Sequence, residues 1–222
     1  MRVEWFGQSA FVLSADGARV AIDPFGDLSA MTGKGMRWDY PAITGVAAEL
    51  TLVTHEHPDH NGVEAIGGDP TVLRSTAGTL PSPLGEVTAI ASEHDQRAGT
   101  ERGPNTIFVF ALGGLRVCHL GDFGQRALRA EQAEAIGAVD LLFVPVGGGP
   151  TIGAEQAAAV LERLSPRWAV PMHYQTPRIG FLDTADAFLA LCPRVERCET
   201  TAFETDRLPA EGATTVVVPA VP

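Results

Sequence analysis

The chain has 222 residues, and 27 acidic against 16 basic side chains leave a formal net charge of −11. This acidity argues against a nucleic-acid scaffold and against docking on anionic lipid. With 45% apolar and 19% charged residues the composition is globular, and three cysteines (Cys118, Cys192, Cys198) are too few for a disulfide framework, which points to a reducing cytoplasm. No run approaches 18 apolar residues, so no membrane insertion is expected, and the N-terminus, with Glu4, reads as strand rather than as a signal peptide.

The predicted elements begin with three short β-branched or aromatic runs, 3–6, 10–13 and 19–22, separated by turns at Gly7-Gln8 and 15–17. An irregular stretch, 24–44, carries Met31, Met36, Trp38 and Tyr40. Its length suggests a functional or a disordered loop, and those side chains suit a pocket wall, a dimer interface or the small core of an Ω-loop. A strand at 50–53 runs straight into Thr54-His55-Glu56-His57-Pro58-Asp59-His60. Further strands are expected at 71–73, 87–90, 107–110 and 115–118, then a helix over 125–136 and a buried strand at 140–144. Gly147-Gly148-Gly149-Pro150 breaks the chain. A second helix is expected to open at Thr151 as N-cap, with Ala157, Val160, Leu161 and Leu164 on its apolar face. A strand at 168–170, a helix over 183–191 and a last strand at 214–218 complete the pattern. Strands first, then strands and helices alternating, suggest two sheets between helices, in a single domain over 1–222.

Three of the six histidines fall within six residues, directly after a strand, with Asp59 between the last two. His55 and His57 alternate by two, so an extended backbone points both to one side. Pro58 turns the chain, and Asp59 and His60 then face a second point. One loop can thereby serve two ions, and imidazole nitrogen with carboxylate oxygen suits zinc, manganese or iron.

The segment 54–60 resembles the HxHxDH signature of the metallo-β-lactamase superfamily. His94 follows His60 by 34 residues, Asp122 follows by another 28 and His173 by another 51, in the order the superfamily uses. The resemblance runs from Ile22-Asp23-Pro24 to the last strand and looks nearest to the compact metal-dependent hydrolases, the branch that includes ascorbate-6-phosphate lactonase. It implies an α/β fold, a four-layer αββα sandwich. It implies two divalent metal ions, zinc or manganese with iron as a further candidate. His55, His57 and His94 would hold one ion, Asp59, His60 and His173 the other, and Asp122 would bridge them. A hydroxide between the ions would be the nucleophile, with Asp59 as the catalytic carboxylate that relays a proton.

The implied substrate is a small molecule, a lactone or phosphorylated ester. Alternatives are a phosphodiesterase, including one for phospholipid-type esters, and a non-catalytic metal-binding or sensing module. Ser92-Glu93-His94-Asp95 departs from the Gly-His-Thr of lactamases and glyoxalase-type thioesterases, which argues against both activities. His57 stands where di-iron flavoproteins of this fold are expected to carry Glu, which argues against an oxygen-using role. A homo-oligomer stays open.

Around this set, His119 reads as a packed or supporting histidine. Asp23 and Asp95 read equally as orienting groups or turn residues, and Cys118 as a buried, inert thiol. The 24–44 and 147–151 loops are candidate substrate walls; the amides from Thr151 onward suit an anionic group or plain capping by Thr151, and Arg178 reads as a solvated surface group before an anion contact.

Overall fold

In a computed structural model, residues 1–28, 37–209 and 212–222 are described. Among them, β1 (Arg2–Gly7), β2 (Ala10–Ala15), β3 (Ala18–Ile22), β4 (Leu50–Val53), β5 (Thr71–Arg74) and β13 (Ala202–Glu204) form a six-stranded sheet in the order β13-β1-β2-β3-β4-β5. A second, eight-stranded sheet holds β6 (Gly78–Ser82), β7 (Gly85–Glu93), β8 (Pro104–Leu112), β9 (Leu115–His119), β10 (Leu141–Pro145), β11 (Trp168–Met172), β12 (Val195–Arg197) and β14 (Thr215–Val218). Its order is β12-β14-β11-β10-β9-β8-β7-β6. Three α-helices are described: α1 (Ala130–Ile136), α2 (Ala154–Leu164) and α3 (Asp186–Ala190). No described helix is long and apolar enough to cross a membrane.

Period-two alternation sorts the first sheet's side chains between two cores. Val3, Trp5, Phe11, Leu13, Val20 and Ile22 face the second sheet, in one cluster with Ile107, Val117, Leu142 and Phe143. Phe11 and Phe143 meet across the sandwich with ring centroids 4.5 Å apart. Each aromatic buried this way contributes about 1.5–3 kcal/mol. The same cluster takes in Ala157, Val160 and Leu161 of α2, so β10 is covered on both faces and buried along its whole length. Ala10, Val12 and Ala21 point to the opposite face. There Phe25, Trp38, Tyr40, Ile43, Ile179 and Leu182 make a smaller core. Trp38 and Tyr40 thus serve the packing of their own loop, while Met31 and Met36 lie outside the described residues.

This is the αββα sandwich expected, but with shorter helices than the periodicity suggests. α1 starts at Ala130, not residue 125. Gln125 is buried, with its amide bonded to Gln132 and to the Ala127 carbonyl, and Gln132 folds back to accept from the Arg129 N–H at 3.0 Å. α2 opens at Ala154 with Gly153 as N-cap. Thr151 instead closes a turn on the Gly148 carbonyl, so the helix N-terminus lies at Gly153 and not at Thr151. α3 is confined to five residues. The pattern also gave no sign of β6, β12 and β13. β6 is an edge strand containing Pro81, and the other two have three residues each.

Strand direction positions the site. β3, β4 and β5 run parallel, as do β9, β10 and β11. β7 is antiparallel to β8, which is antiparallel to β9, so β7 runs with β9. The loops leaving the C-terminal ends of β3, β4, β7, β9 and β11 carry Asp23, His55, His94, Asp122 and His173 respectively. The Thr106 N–H bonded to the Thr54 carbonyl at 2.9 Å joins the two sheets at this rim.

Candidate metal centre

The seven residues singled out from the sequence come together in one cluster. Ligand atoms of His55, His57 and His94 lie within 4.8 Å of one another, as do those of Asp59, His60 and His173, and those of His55, His60 and Asp122. Asp122 Oδ2 is the hub. It lies 3.1 Å from His173 Nε2, 3.2 Å from His94 Nε2, 3.3 Å from His60 Nε2 and 3.9 Å from His55 Nε2. His57 and Asp59 are partly exposed, and the others are buried.

Outer hydrogen bonds set which nitrogen His60 and His94 present. Buried Asp23 accepts from the Thr54 N–H (2.8 Å) and hydroxyl (2.7 Å) with its two oxygens, and Oδ2 also accepts from His60 Nδ1 at 2.9 Å. This places the His60 lone pair on Nε2. The Pro150 carbonyl accepts from His94 Nδ1 at 3.0 Å, with the same consequence. Asn105 Oδ1 accepts from the Asp122 N–H at 3.0 Å, while its amide group donates to Ser92 Oγ and the Leu120 carbonyl. The Ser9 hydroxyl donates to Asp122 Oδ1 at 3.4 Å. Gly121 between these groups is obligatory. Its φ is +57°, and a Cβ would sit 2.3 Å from Asn105 Oδ1.

Burial and the surrounding imidazoles, His60 first, push the His55 pKa down to about 2. Burial and then His94 also lower that of His57. These rings are neutral at physiological pH, as a metal ligand must be. His60 behaves oppositely. Burial disfavours its protonation, but Asp122, Asp59 and Asp23 outweigh it and raise its pKa well above 6.5. In return His60 holds Asp59, against its burial, at about 2. Asp122 is likewise ionised, with burial overcome by His173 and His60.

Three carboxylates thus converge where positive charge is favoured, and His60 Nε2 is buried there with no hydrogen-bond partner. His55 Nε2 and His57 Nδ1 are 3.0 Å apart. A tetrahedral zinc ion with bonds near 2.0 Å separates neighbouring nitrogens by about 3.3 Å. The orphaned nitrogen, the nitrogen–oxygen donor set and these spacings fit divalent transition-metal ions.

The other candidates divide. Asp23 is an orienting group. Asp95 is not: against burial, the backbone amides of Arg102, Arg97, Glu101 and Gly99 hold its carboxyl at about 2, and it shapes the 95–102 loop. His119 is buried, donating from Nε2 to the Ser9 carbonyl and accepting the Gly121 N–H on Nδ1, so it supports rather than ligates. The buried Cys118 thiol is pushed up by burial and is inert. Arg178 donates from Nε to the Pro222 main-chain oxygen at 2.8 Å. Sequence reasoning missed Ser9, Asn105 and the Pro150 carbonyl. The one available signal was Asn105 itself, a polar residue opening an otherwise apolar strand.

Such a constellation at the C-terminal rim of a two-sheet sandwich defines a class. A sequence model of the β-lactamase superfamily domain matches residues 2–173, and the chain belongs to the metallo-β-lactamase superfamily. Within it the chain falls in the UPF0173 family of metal-dependent hydrolases. It is 34% identical to the UPF0173 metal-dependent hydrolase of Methylobacterium nodulans over 86% of this chain and 91% of that one. It is 32% identical to a UPF0173 protein of Pyrococcus furiosus over 79% and 84%. A Thermotoga maritima structure assigned to the zinc-dependent hydrolases of the same superfamily superposes with a TM-score of 0.77, at 30% identity and 99% coverage of both chains.

Proposed function

We propose that the chain, acting as one domain over 1–222, hydrolyses a small lactone or phosphorylated ester at a centre for two divalent ions, zinc or manganese. In this reading His55, His57 and His94 hold one ion, Asp59, His60 and His173 the other, and Asp122 lies between them. The observation that carries it is the position of Asp122 Oδ2, within 3.3 Å of His94 from one triad and of His60 and His173 from the other. Ions bound there lower the pKa of a coordinated water and polarise a carbonyl or phosphoryl oxygen.

The chain's own residues supply orientation and proton transfer. Asp23 and the Pro150 carbonyl keep the Nε2 lone pairs of His60 and His94 directed inward. Asp59, ionised and partly exposed, accepts the proton lost by the attacking water. Asp122, ionised and buried, neutralises the bound charge. The choice of lactone or phosphorylated ester rests on the resemblance of the motif set to the lactonase branch. Three free thiols suit a reducing, cytoplasmic setting.

The test is a hydrolysis screen of the protein loaded separately with zinc and manganese, setting simple lactones against bis-aryl phosphodiesters. Lactone turnover should dominate, and Asp59→Asn, with metal content verified, should lose about 10²–10⁴-fold. An unchanged rate in fully metallated Asp59→Asn refutes the proton-acceptor role. Dominant phosphodiester turnover overturns the substrate class but leaves the site standing.

A further inference from the structure

The turn between β1 and β2 holds a residue that the reading above does not use. Gln8 is completely buried, and both polar atoms of its carboxamide lack a hydrogen-bond partner. Its backbone is heavily engaged. The Gln8 carbonyl accepts from Trp5 Nε1 at 2.9 Å and from the His173 N–H at 3.4 Å. Gln8 and His173 both sit in the left-handed region, with φ of +49° and +51°. Strained non-glycine backbone of this kind persists where the surroundings enforce it and clusters at functional sites. The next residue, Ser9, reaches Asp122 with its hydroxyl.

His173 has the complementary deficiency. Its Nε2 faces Asp122 Oδ2 at 3.1 Å, while Nδ1 is buried and unpartnered. A histidine that binds a metal through one nitrogen passes the other N–H to an acceptor, which fixes the tautomer and the ring's orientation. His60 and His94 have theirs in Asp23 and the Pro150 carbonyl. Among the described residues, buried side-chain atoms without partners belong to Gln8, Thr51, His60, His173 and Thr215. Of these residues, Gln8 is the one backbone-bonded to His173.

We propose that Gln8 is the positioning residue of His173: its carboxamide oxygen receives the His173 Nδ1–H through one buried water and keeps the Nε2 lone pair toward Asp122. This rests on His173 being a ligand. The carboxamide nitrogen donates to the same water.

The test strips the full chain of metal and titrates it with Zn²⁺ against a chromophoric chelator. Gln8→Met keeps the length and removes the polar atoms. It should weaken one of the two equivalents by about 10–100-fold. Gln8→Glu should bind at least as tightly as the unaltered chain, because a carboxylate is a stronger acceptor for an imidazole N–H. If Gln8 only fills space, Glu there is a buried, unpaired charge and must be worse than Met. Equal weakening by both variants, or none in Gln8→Met, overturns the proposal. His173→Ala separates it from the reading beneath it: two tight equivalents in that variant refute the ligand role, whereas loss of one with Gln8→Met unaffected refutes Gln8 alone. If Gln8→Met fails to fold, imidazole ¹⁵N spectra of the zinc-loaded, unaltered chain decide. A slowly exchanging proton on His173 Nδ1 is expected, and a deprotonated Nδ1 overturns the assignment.

Discussion

Replacing Asp23 by Asn changes a single atom type at the base of the site, and its consequences follow from the partners in hand. Asp23 is surrounded by three donors: the Thr54 N–H, the Thr54 hydroxyl and His60 Nδ1, at 2.8, 2.7 and 2.9 Å. A carboxylate accepts all three, and a carboxamide cannot. If the Asn oxygen keeps the Thr54 N–H, its NH₂ group faces Thr54 Oγ1 and His60 Nδ1. The hydroxyl can turn to His55 Nδ1, 3.1 Å away, but that nitrogen then has to accept, which puts the His55 proton on Nε2. His60 can only comply by surrendering its Nδ1 proton, which moves the proton to Nε2, the atom facing Asp122 and Asp59 at 3.3 and 3.5 Å. Nε2 is then a donor and no longer a ligand. If the amide flips, its NH₂ opposes the buried Thr54 N–H, at a cost of about 1–3 kcal/mol. Either way zinc affinity should fall by about 10–100-fold, or about 1.4–2.8 kcal/mol. The metal-free protein should melt a few degrees lower, at about 2–4 °C per kcal/mol for a chain of this size. Chelator competition measures the first effect and calorimetry the second, while ¹⁵N spectra report the His60 tautomer. Affinity within twofold of the unaltered chain, with the proton still on Nδ1, would refute the argument.

Three further outcomes are expected. Gly121→Ala places a Cβ 2.3 Å from Asn105 Oδ1 and 2.7 Å from Thr54 Cβ at a φ of +57°. It should cost at least about 2 kcal/mol, and an unchanged melting temperature would contradict the close approach. His60 must lose a proton before Nε2 can bind an ion, and its pKa in the metal-free protein lies well above 6.5. Affinity should therefore keep rising with pH through neutrality, by up to about tenfold per unit; a zinc-binding curve already flat at pH 6.5 would count against the carboxylate cluster around His60. Arg74 donates twice to Glu56 in the 54–60 loop, but both side chains are substantially exposed. Arg74→Ala should change stability by no more than about 1 kcal/mol in a denaturant titration, and a larger loss would mean that this pair holds the loop.

What was legible in the sequence depends on how far apart the cooperating residues lie in the chain. His55, His57, Asp59 and His60 share one loop, so their spacing alone suggests a metal site. His94, Asp122 and His173 acquire meaning from a resemblance in their order, because nothing in a lone histidine after a strand distinguishes a ligand from a packed ring. Asp23 stayed ambiguous because its role depends on Thr54 and His60, residues 31 and 37 positions away. Helix starts were misplaced where a buried side chain outweighs propensity. Gln125 sits inside a network with Gln132 and Arg129, and Thr151 closes a turn that puts Pro150 under His94.

The same distances explain why the site is rigid enough to be useful. Three of the inward-facing groups are aimed by a partner from another segment: His60 by Asp23 after β3, His94 by Pro150 after β10, and Asp122 by Asn105 in β8 and Ser9 before β2. A loop that carried both ligand and orienting group could move as a unit and lose its aim. Here, moving His60, His94 or Asp122 means breaking a hydrogen bond to a separate segment of the sandwich. The cost falls on the packed core, where Phe11 and Phe143 lock the sheets together. Burial is part of the same device. It drives His55 neutral and strengthens the pull of three carboxylates on whatever cation enters. The hydrophobic sandwich is therefore a working component of the metal centre: it holds the strands whose ends carry these groups, and it buries five of the seven.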